Sequence, residues 1–251
     1  MNLPPIVEGA DAFTLDGGPT GVLMLHGFTA NPFGLRAFAE SLHESGHTVH
    51  VPRLPGHGTT WEDLARSTWA DWDGEAQRAL TELRGRCDRV AVVGLSFGGA
   101  VALHLAATRP DDARSVVVVN PHVVDRRLVW APLVKLVRRT VAGIADDISL
   151  GEGTERAYDR IPVSALVQVV RFQRMVRGEL PRIRQPILAF RSGADKVIPN
   201  STSYVLGRVA SKDRELVMLP RSFHVAWLDQ DADLLFEGTR SFLARTLGAA
   251  V

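Results

Sequence analysis

Short apolar runs alternate along the chain with stretches in which apolar side chains recur every three or four positions. The runs at 21–25, 47–51, 89–94, 115–119, 186–191 and 215–219 are rich in Val, Leu and Ile and bounded by turn residues, the pattern of strands buried on both faces. Between them the helical period returns over about 32–45, 69–84, 97–108, 201–209 and 231–246, with Gly or Pro close to most of the ends. This alternation predicts an α/β fold, a mainly parallel sheet flanked by helices.

One connection breaks the alternation. From Asn120 to Gln185 the chain runs far beyond an ordinary α/β crossover, which predicts inserted structure. Residues 121–185 are expected to form a cap over a main domain built from 1–120 and 186–251. Within the cap, Val129, Leu133, Leu136, Val137, Val141 and Ile144 fall near helical spacing, with a start or kink at Pro132. A second cap helix is predicted with Pro162 in its first turn, Val163, Leu166, Val167 and Val170 on one face, and Gly178 as its stop.

Composition narrows the function. The 251 residues are 45% hydrophobic, which suits one globular catalytic domain. A net charge of +1, from 29 basic and 28 acidic residues, creates no field to draw a polyanion, so nucleic acid is not expected as a partner. The single cysteine, Cys87, cannot build a disulfide framework. Residues 1–16 have no basic leader followed by an apolar run, and no stretch approaches the roughly 20 apolar residues of a membrane span. These features predict a soluble, cytoplasmic protein.

The candidate chemistry begins where the strand at 89–94 meets the helix at 97–108. There Gly94-Leu95-Ser96-Phe97-Gly98 has the Gly-x-Ser-x-Gly pattern of a strand-to-helix turn that exposes a serine. Such a turn needs small residues on both sides, and it places Ser96 at a helix N-terminus that favours developing negative charge. A serine hydroxyl needs a base, and the base an orienting carboxylate, in the chain order Ser, Asp, His. Asp195 follows the strand ending near Arg191, and His224, the only histidine after Asp195, follows the last strand. For the oxyanion of acyl transfer the candidate donors are the backbone N–H groups of Phe97 and Phe28, which leaves both phenyl rings free to line an acyl pocket. The other histidines and Cys87 form no group with metal-ligand spacing, so neither metal nor cofactor is expected.

Several segments together resemble bacterial monoacylglycerol lipases and the similar small carboxylesterases of the α/β-hydrolase superfamily. They are His26-Gly27-Phe28-Thr29, Pro52-Arg53-Leu54-Pro55-Gly56-His57-Gly58-Thr59 with Trp61-Glu62-Asp63, Gly94 to Gly99, and Ser222 to Asp229. Glu155-Arg156-Ala157-Tyr158 and 162–166 in the cap are also similar to the family's pattern. The resemblance spans nearly the whole chain. It implies an α/β-hydrolase fold, with the cap inserted after the strand ending near Val119, and hydrolysis of monoacylglycerols, or of simple carboxylic esters without glycerol recognition. His57 is then structural support and not the base. Glu155 matches a glycerol-side acidic position, and Asn120, at a strand end, is a second polar candidate for the substrate. Position 97 more often carries Met or Leu in the family, and position 223 Gly or Tyr, so Phe97 and Phe223 are expected to reshape the acyl channel. The expected partner is a small acylglycerol-type ester, met by a monomer or dimer. Apolar residues mixed with Arg126, Arg127, Lys135, Arg138 and Arg139 in the cap suit transient contact with an anionic lipid surface.

Overall fold

The computed structural model describes residues 4–143, 147–150 and 156–248. Strand β1 (Phe13–Leu15) leads into β2 (Thr20–Leu25), helix α1 (Arg36–Glu44) and β3 (Thr48–Val51). A short α2 (Trp61–Leu64) precedes α3 (Trp69–Arg84), β4 (Arg89–Leu95), α4 (Phe97–Thr108) and β5 (Ala113–Val119). The insertion holds a single-turn α5 (Ala131–Val134), strands β6 (Thr140–Ala142) and β7 (Arg160–Pro162), and α6 (Val163–Glu179). The chain then returns through β8 (Ile187–Ser192), α7 (Ser201–Leu206), β9 (Arg214–Leu219) and α8 (Ala232–Leu247).

Seven strands form one sheet in the order β1-β3-β2-β4-β5-β8-β9, parallel throughout except for β1, which runs antiparallel to β3. The continuous apolar runs reflect burial of both faces of the sheet. Leu23, Leu25, Val90, Val92, Val116 and Val118 join the core shared with α3, α4 and α6, whereas Val22, Met24, Ala91, Val93, Val117 and Val119 face the core shared with α1 and α8. Strand order reverses between β2 and β4, because β2 is followed in sequence by β3 on one side and β4 lies on the other. Such a reversal opens a crevice at the carboxyl ends of the strands, and the loops after β2 and β4 both end there.

The strands anticipated from the sequence lie within two residues of those observed, and so do the helices at 69–84, 97–108 and 231–246. The structure adds β1, whose three residues were too few to carry a periodic signal, and the β6–β7 pair. It also corrects the first cap helix. Arg126–Trp130 is a 3-10 turn, α5 is one turn long, and the chain then extends into β6. The apolar spacing there had no surface to bury against: Leu133, Leu136 and Val137 stand exposed, and a short isolated helix is not stable without packing. Ile144 lies outside the described residues. Helix α6 starts as expected but passes through Gly178. Of the predicted stripe Val163 and Val167 are buried and Leu166 and Val170 are half-buried, while Ala165, Val169, Phe172 and Val176 are buried as well, because the helix is apolar on more than one side. Among the described residues no helix is long and apolar enough to cross a membrane.

Candidate active site

Gly94 and Gly98 make the turn around Ser96 possible. A Cβ on Gly94 would stand 2.2 Å from the Gly98 carbonyl oxygen, and one on Gly98 would stand 2.1 Å from that of Leu25. Between them Ser96 takes φ 53° and ψ −117°, a conformation that L side chains rarely adopt. All four described non-glycine residues with positive φ, namely Thr29, Ser96, Asn120 and Arg156, belong to the loops gathered at this end of the sheet. Such strain persists only where the surroundings hold it. The Ser96 N–H donates to the Val119 carbonyl at 2.9 Å, and the Ser96 carbonyl accepts from the N–H groups of Gly99 and His122 at 3.0 and 2.8 Å.

The three residues singled out for acyl transfer meet at this turn. Ser96 Oγ lies 2.8 Å from His224 Nε2, and His224 Nδ1 lies 3.1 Å from Asp195 Oδ2. The other Asp195 oxygen accepts from the N–H groups of Val197 and Ile198 at 2.7 and 3.0 Å. Burial alone would raise the Asp195 pKa, but its bonds to His224, Ile198 and Val197 outweigh that and hold the carboxyl below its usual range. Asp195 is therefore charged whenever His224 must be oriented. Such a relay can draw the proton from a serine hydroxyl.

Among the described residues the backbone N–H groups of Phe28 and Phe97 have no acceptor, the latter because it opens α4. Their side chains differ. Phe28 lines the cavity above Ser96, but Phe97 is wholly buried against Trp72 and Phe172, with ring centroids 5.2 and 5.6 Å away, beneath α6. The expectation that the Phe97 ring lines the acyl pocket is corrected by this packing. Phe223 is likewise outside the cavity lining, with the Lys196 ammonium 5.1 Å from its ring centre.

Asn120 is also reassigned. Its side-chain N–H groups donate to Ser192 Oγ and to the His224 carbonyl, both at 2.8 Å, and its oxygen accepts from the Ser192 N–H at 2.9 Å. Both of its N–H donors and its oxygen are engaged inside the protein, it is buried, and it is not among the residues that line the cavity over Ser96, so it braces the site and does not meet a substrate. Glu155 lies outside the described residues.

His26 and His57 support the loops from below. His26 donates from Nδ1 to the Gly27 carbonyl at 3.0 Å and accepts from the Leu54 N–H at 3.1 Å, while burial pulls its pKa down to about 4. His57 is fully buried with its ring edge-on or tilted to Trp72 and His26, burial opposes its taking up a proton, and the imidazole that bonds Ser96 Oγ is that of His224. The insertion is latched to this framework. Tyr158 Oη donates to the Gly56 carbonyl and accepts from the Thr59 N–H, at 2.8 and 2.9 Å, and Asp147 accepts from the His224 N–H at 3.1 Å.

A cavity of about 180 Å³ opens over Ser96 and His224. Much of its wall is apolar, including Leu128, Val141, Ile161, Leu166 and Val225, and one part is polar, with His122, Asp125 and Arg127. The sequence reading passed over this polar group. The visible signal was His122 itself, three residues past a strand end at the carboxyl edge of a parallel sheet. Among the described residues no cluster of His, Cys, Asp or Glu is arranged to hold a metal ion.

Known proteins agree with this architecture. A thermostable monoacylglycerol lipase from Bacillus sp. strain H-257 is 35% identical over 247 residues, covering 97% of this chain and 98% of that protein. A Bacillus subtilis carboxylesterase is 26% identical, covering 93% and 96% of the two chains. A solved structure from work on the metagenome-derived lipolytic enzymes LipS and LipT superposes with TM-score 0.93 at 32% identity, covering 96% of this chain and all of that one. The sequence pattern of the alpha/beta hydrolase family matches residues 22–239, and the chain belongs to that family.

Proposed function

We propose that this chain is a serine hydrolase that cleaves monoacylglycerols to fatty acid and glycerol. The observation that carries the reading is the run from Ser96 through His224 to Asp195, at 2.8 and 3.1 Å, opening onto a cavity that is mostly apolar but has one polar wall. An acyl chain matches the apolar part, and the hydroxyls of glycerol match the polar part. The relationship to the Bacillus monoacylglycerol lipase over almost the full length of both chains supports the same substrate.

Ser96 Oγ attacks the ester carbonyl carbon while His224 Nε2 takes the hydroxyl proton. Asp195 holds the imidazole with its Nδ1–H directed at the carboxylate. The N–H groups of Phe28 and Phe97 receive the oxyanion. As the tetrahedral intermediate collapses, the bond to the alcohol oxygen breaks and His224 returns the proton to it, leaving Ser96 acylated. A water activated by His224 then attacks the acyl carbon, and Ser96 regains its proton as the fatty acid departs. Residues 121–185 serve as a cap over this reaction, and Glu155 is assigned to the glycerol side on the resemblance alone.

The cap also provides a lipid-facing surface. Trp130, Leu133, Leu136 and Val137 are exposed beside Lys135, Arg138 and Arg139, a combination suited to an anionic lipid interface. Arg127 is not part of it, being tied to Asp125 and the Val197 carbonyl.

The test compares kcat/KM for a monoacylglycerol with that for the methyl ester of the same fatty acid. Preference for the glycerol ester is expected. Equal values would favour a general carboxylesterase, and failure to cleave either would overturn ester hydrolysis itself.

A further inference from the structure

His122, Asp125 and Arg127 line the cavity yet take no part in the Ser96 relay. His122 is tethered to the nucleophile through its N–H bond to the Ser96 carbonyl, and it is only 9% exposed. Its buried Nε2 faces Asp125 Oδ2 at 3.5 Å, at the limit of hydrogen-bond distance, and no hydrogen bond joins Nδ1 to the described residues. A buried imidazole on a cavity wall whose Nδ1 has no partner among the described residues is unusual, and a ligand that supplies the partner accounts for it.

Asp125, in contrast, is fully engaged. Its Oδ1 accepts from the Arg127 backbone N–H and Nε at 2.9 and 3.0 Å, and its Oδ2 accepts from Arg127 Nη2 at 2.8 Å. Burial would raise the Asp125 pKa, but the neighbouring His122 imidazole and the bonds from Arg127 hold it well below the usual range, so a fixed negative charge stands behind the imidazole. Burial lowers the His122 pKa, and a proton on His224 opposes one on His122 as well. The ring is therefore neutral in the working range, and the carboxylate favours placing its single proton on Nε2. Nδ1 is then an acceptor.

We propose that His122, backed by Asp125, is a specificity-determining residue on the alcohol side of the ester, where it accepts a hydrogen bond from a free hydroxyl of a polyol-derived alcohol. The proposal rests on the monoacylglycerol reading above. The alcohol must leave beside His224, which returns its proton, and His122 is close enough to His224 for their charges to interact. A simple alkyl alcohol has no hydroxyl left to offer once esterified, whereas the glycerol of a monoacylglycerol keeps two.

The experiment measures kcat and KM on a monoacylglycerol and on the methyl ester of the same acid for wild type, His122→Phe, His122→Asn and Asp125→Asn. His122→Phe should lose at least about fivefold more kcat/KM on the glycerol ester than on the methyl ester, chiefly through KM. His122→Asn, which keeps a polar group, should recover part of that difference, and Asp125→Asn should move the ratio in the same direction as His122→Phe by less. If His122→Phe does not fold, the Asn variants carry the same comparison. A wild-type preference for the glycerol ester that survives these substitutions, or losses that match on the two esters, overturns the assignment of His122 and leaves the monoacylglycerol reading standing. No wild-type preference overturns both.

Discussion

The side chain of Asn120 donates a hydrogen bond of 2.8 Å to the backbone carbonyl of His224, across 104 residues of sequence. The same amide group binds the backbone N–H and the hydroxyl of Ser192, at the end of β8 just before the loop that carries Asp195. One buried residue at the end of β5 thus sets the spacing between the loops that carry Asp195 and His224. Replacing Asn120 with Ala leaves two acceptors and a donor without partners, and a loss of about 1–3 kcal/mol is expected in denaturant unfolding. Because His224 loses its brace, kcat should also fall by about tenfold or more, since small misplacements of catalytic groups are costly. Wild-type kcat in a destabilised Asn120→Ala protein would show that the brace serves stability alone.

The glycines of the nucleophile turn and those of the outer helices make opposite predictions. Gly98→Ala drives a methyl group to 2.1 Å from the Leu25 carbonyl oxygen, which is backbone and cannot step aside. That variant should fail to give folded, active protein. Gly74, inside α3, has nothing within 4 Å of its would-be Cβ, and Gly74→Ala should stabilise the protein by about 0.5–1 kcal/mol through helix propensity. Thermal unfolding of the two variants tests the contrast, and a well-folded, fully active Gly98→Ala protein would contradict the turn geometry.

His104 joins three helices. On α4, it reaches Asp73 of α3 from Nε2 at 3.2 Å and Glu179 at the end of α6 from Nδ1 at 2.7 Å. Burial would lower its pKa, but the two carboxylates outweigh burial and hold it above the ordinary 6.5. The folded state thus binds the proton more tightly than the unfolded chain. The stabilisation is fully present below pH 6.5 and disappears as pH rises through the higher folded value. The Tm advantage of wild type over His104→Gln should therefore shrink as the pH rises above 6.5. A constant difference would mean that the cluster carries no net proton linkage.

The exposed cap surface predicts salt-sensitive lipid binding. The chain should co-sediment with vesicles containing anionic lipid and much less with neutral ones, and Arg138→Glu together with Arg139→Glu should weaken the interaction, because surface charge attraction depends on both sign and ionic strength. Equal sedimentation of wild type and the double variant would remove the cationic side chains from the account.

The sheet was legible because its strands are unbroken apolar runs, which in an α/β protein have few other readings. The residues of the relay were legible for a chemical reason: a strained serine turn demands a base and an acid, and Asp195 and His224 follow in the required order. The cap was not legible in detail. Leu133, Leu136 and Val137 repeat at helical spacing, but periodicity records a helix only where packing rewards one, and these side chains face outward. The bracing role of Asn120, and His122 as a cavity residue, escaped for a different reason. Their roles depend on partners at Ser192, His224 and the cavity wall, and these contacts arise only when distant loops converge.

The account stands most directly on glycerol release from a monoacylglycerol by Ser96→Ala, measured beside wild type with unfolding curves for both. Removing the nucleophile should lower kcat by about 10⁴-fold or more while leaving the unfolding transition nearly unchanged, as expected when one member of a cooperating relay is lost. A folded Ser96→Ala protein that still released glycerol within about tenfold of the wild-type rate would contradict the assignment of Ser96 and with it the proposed reaction.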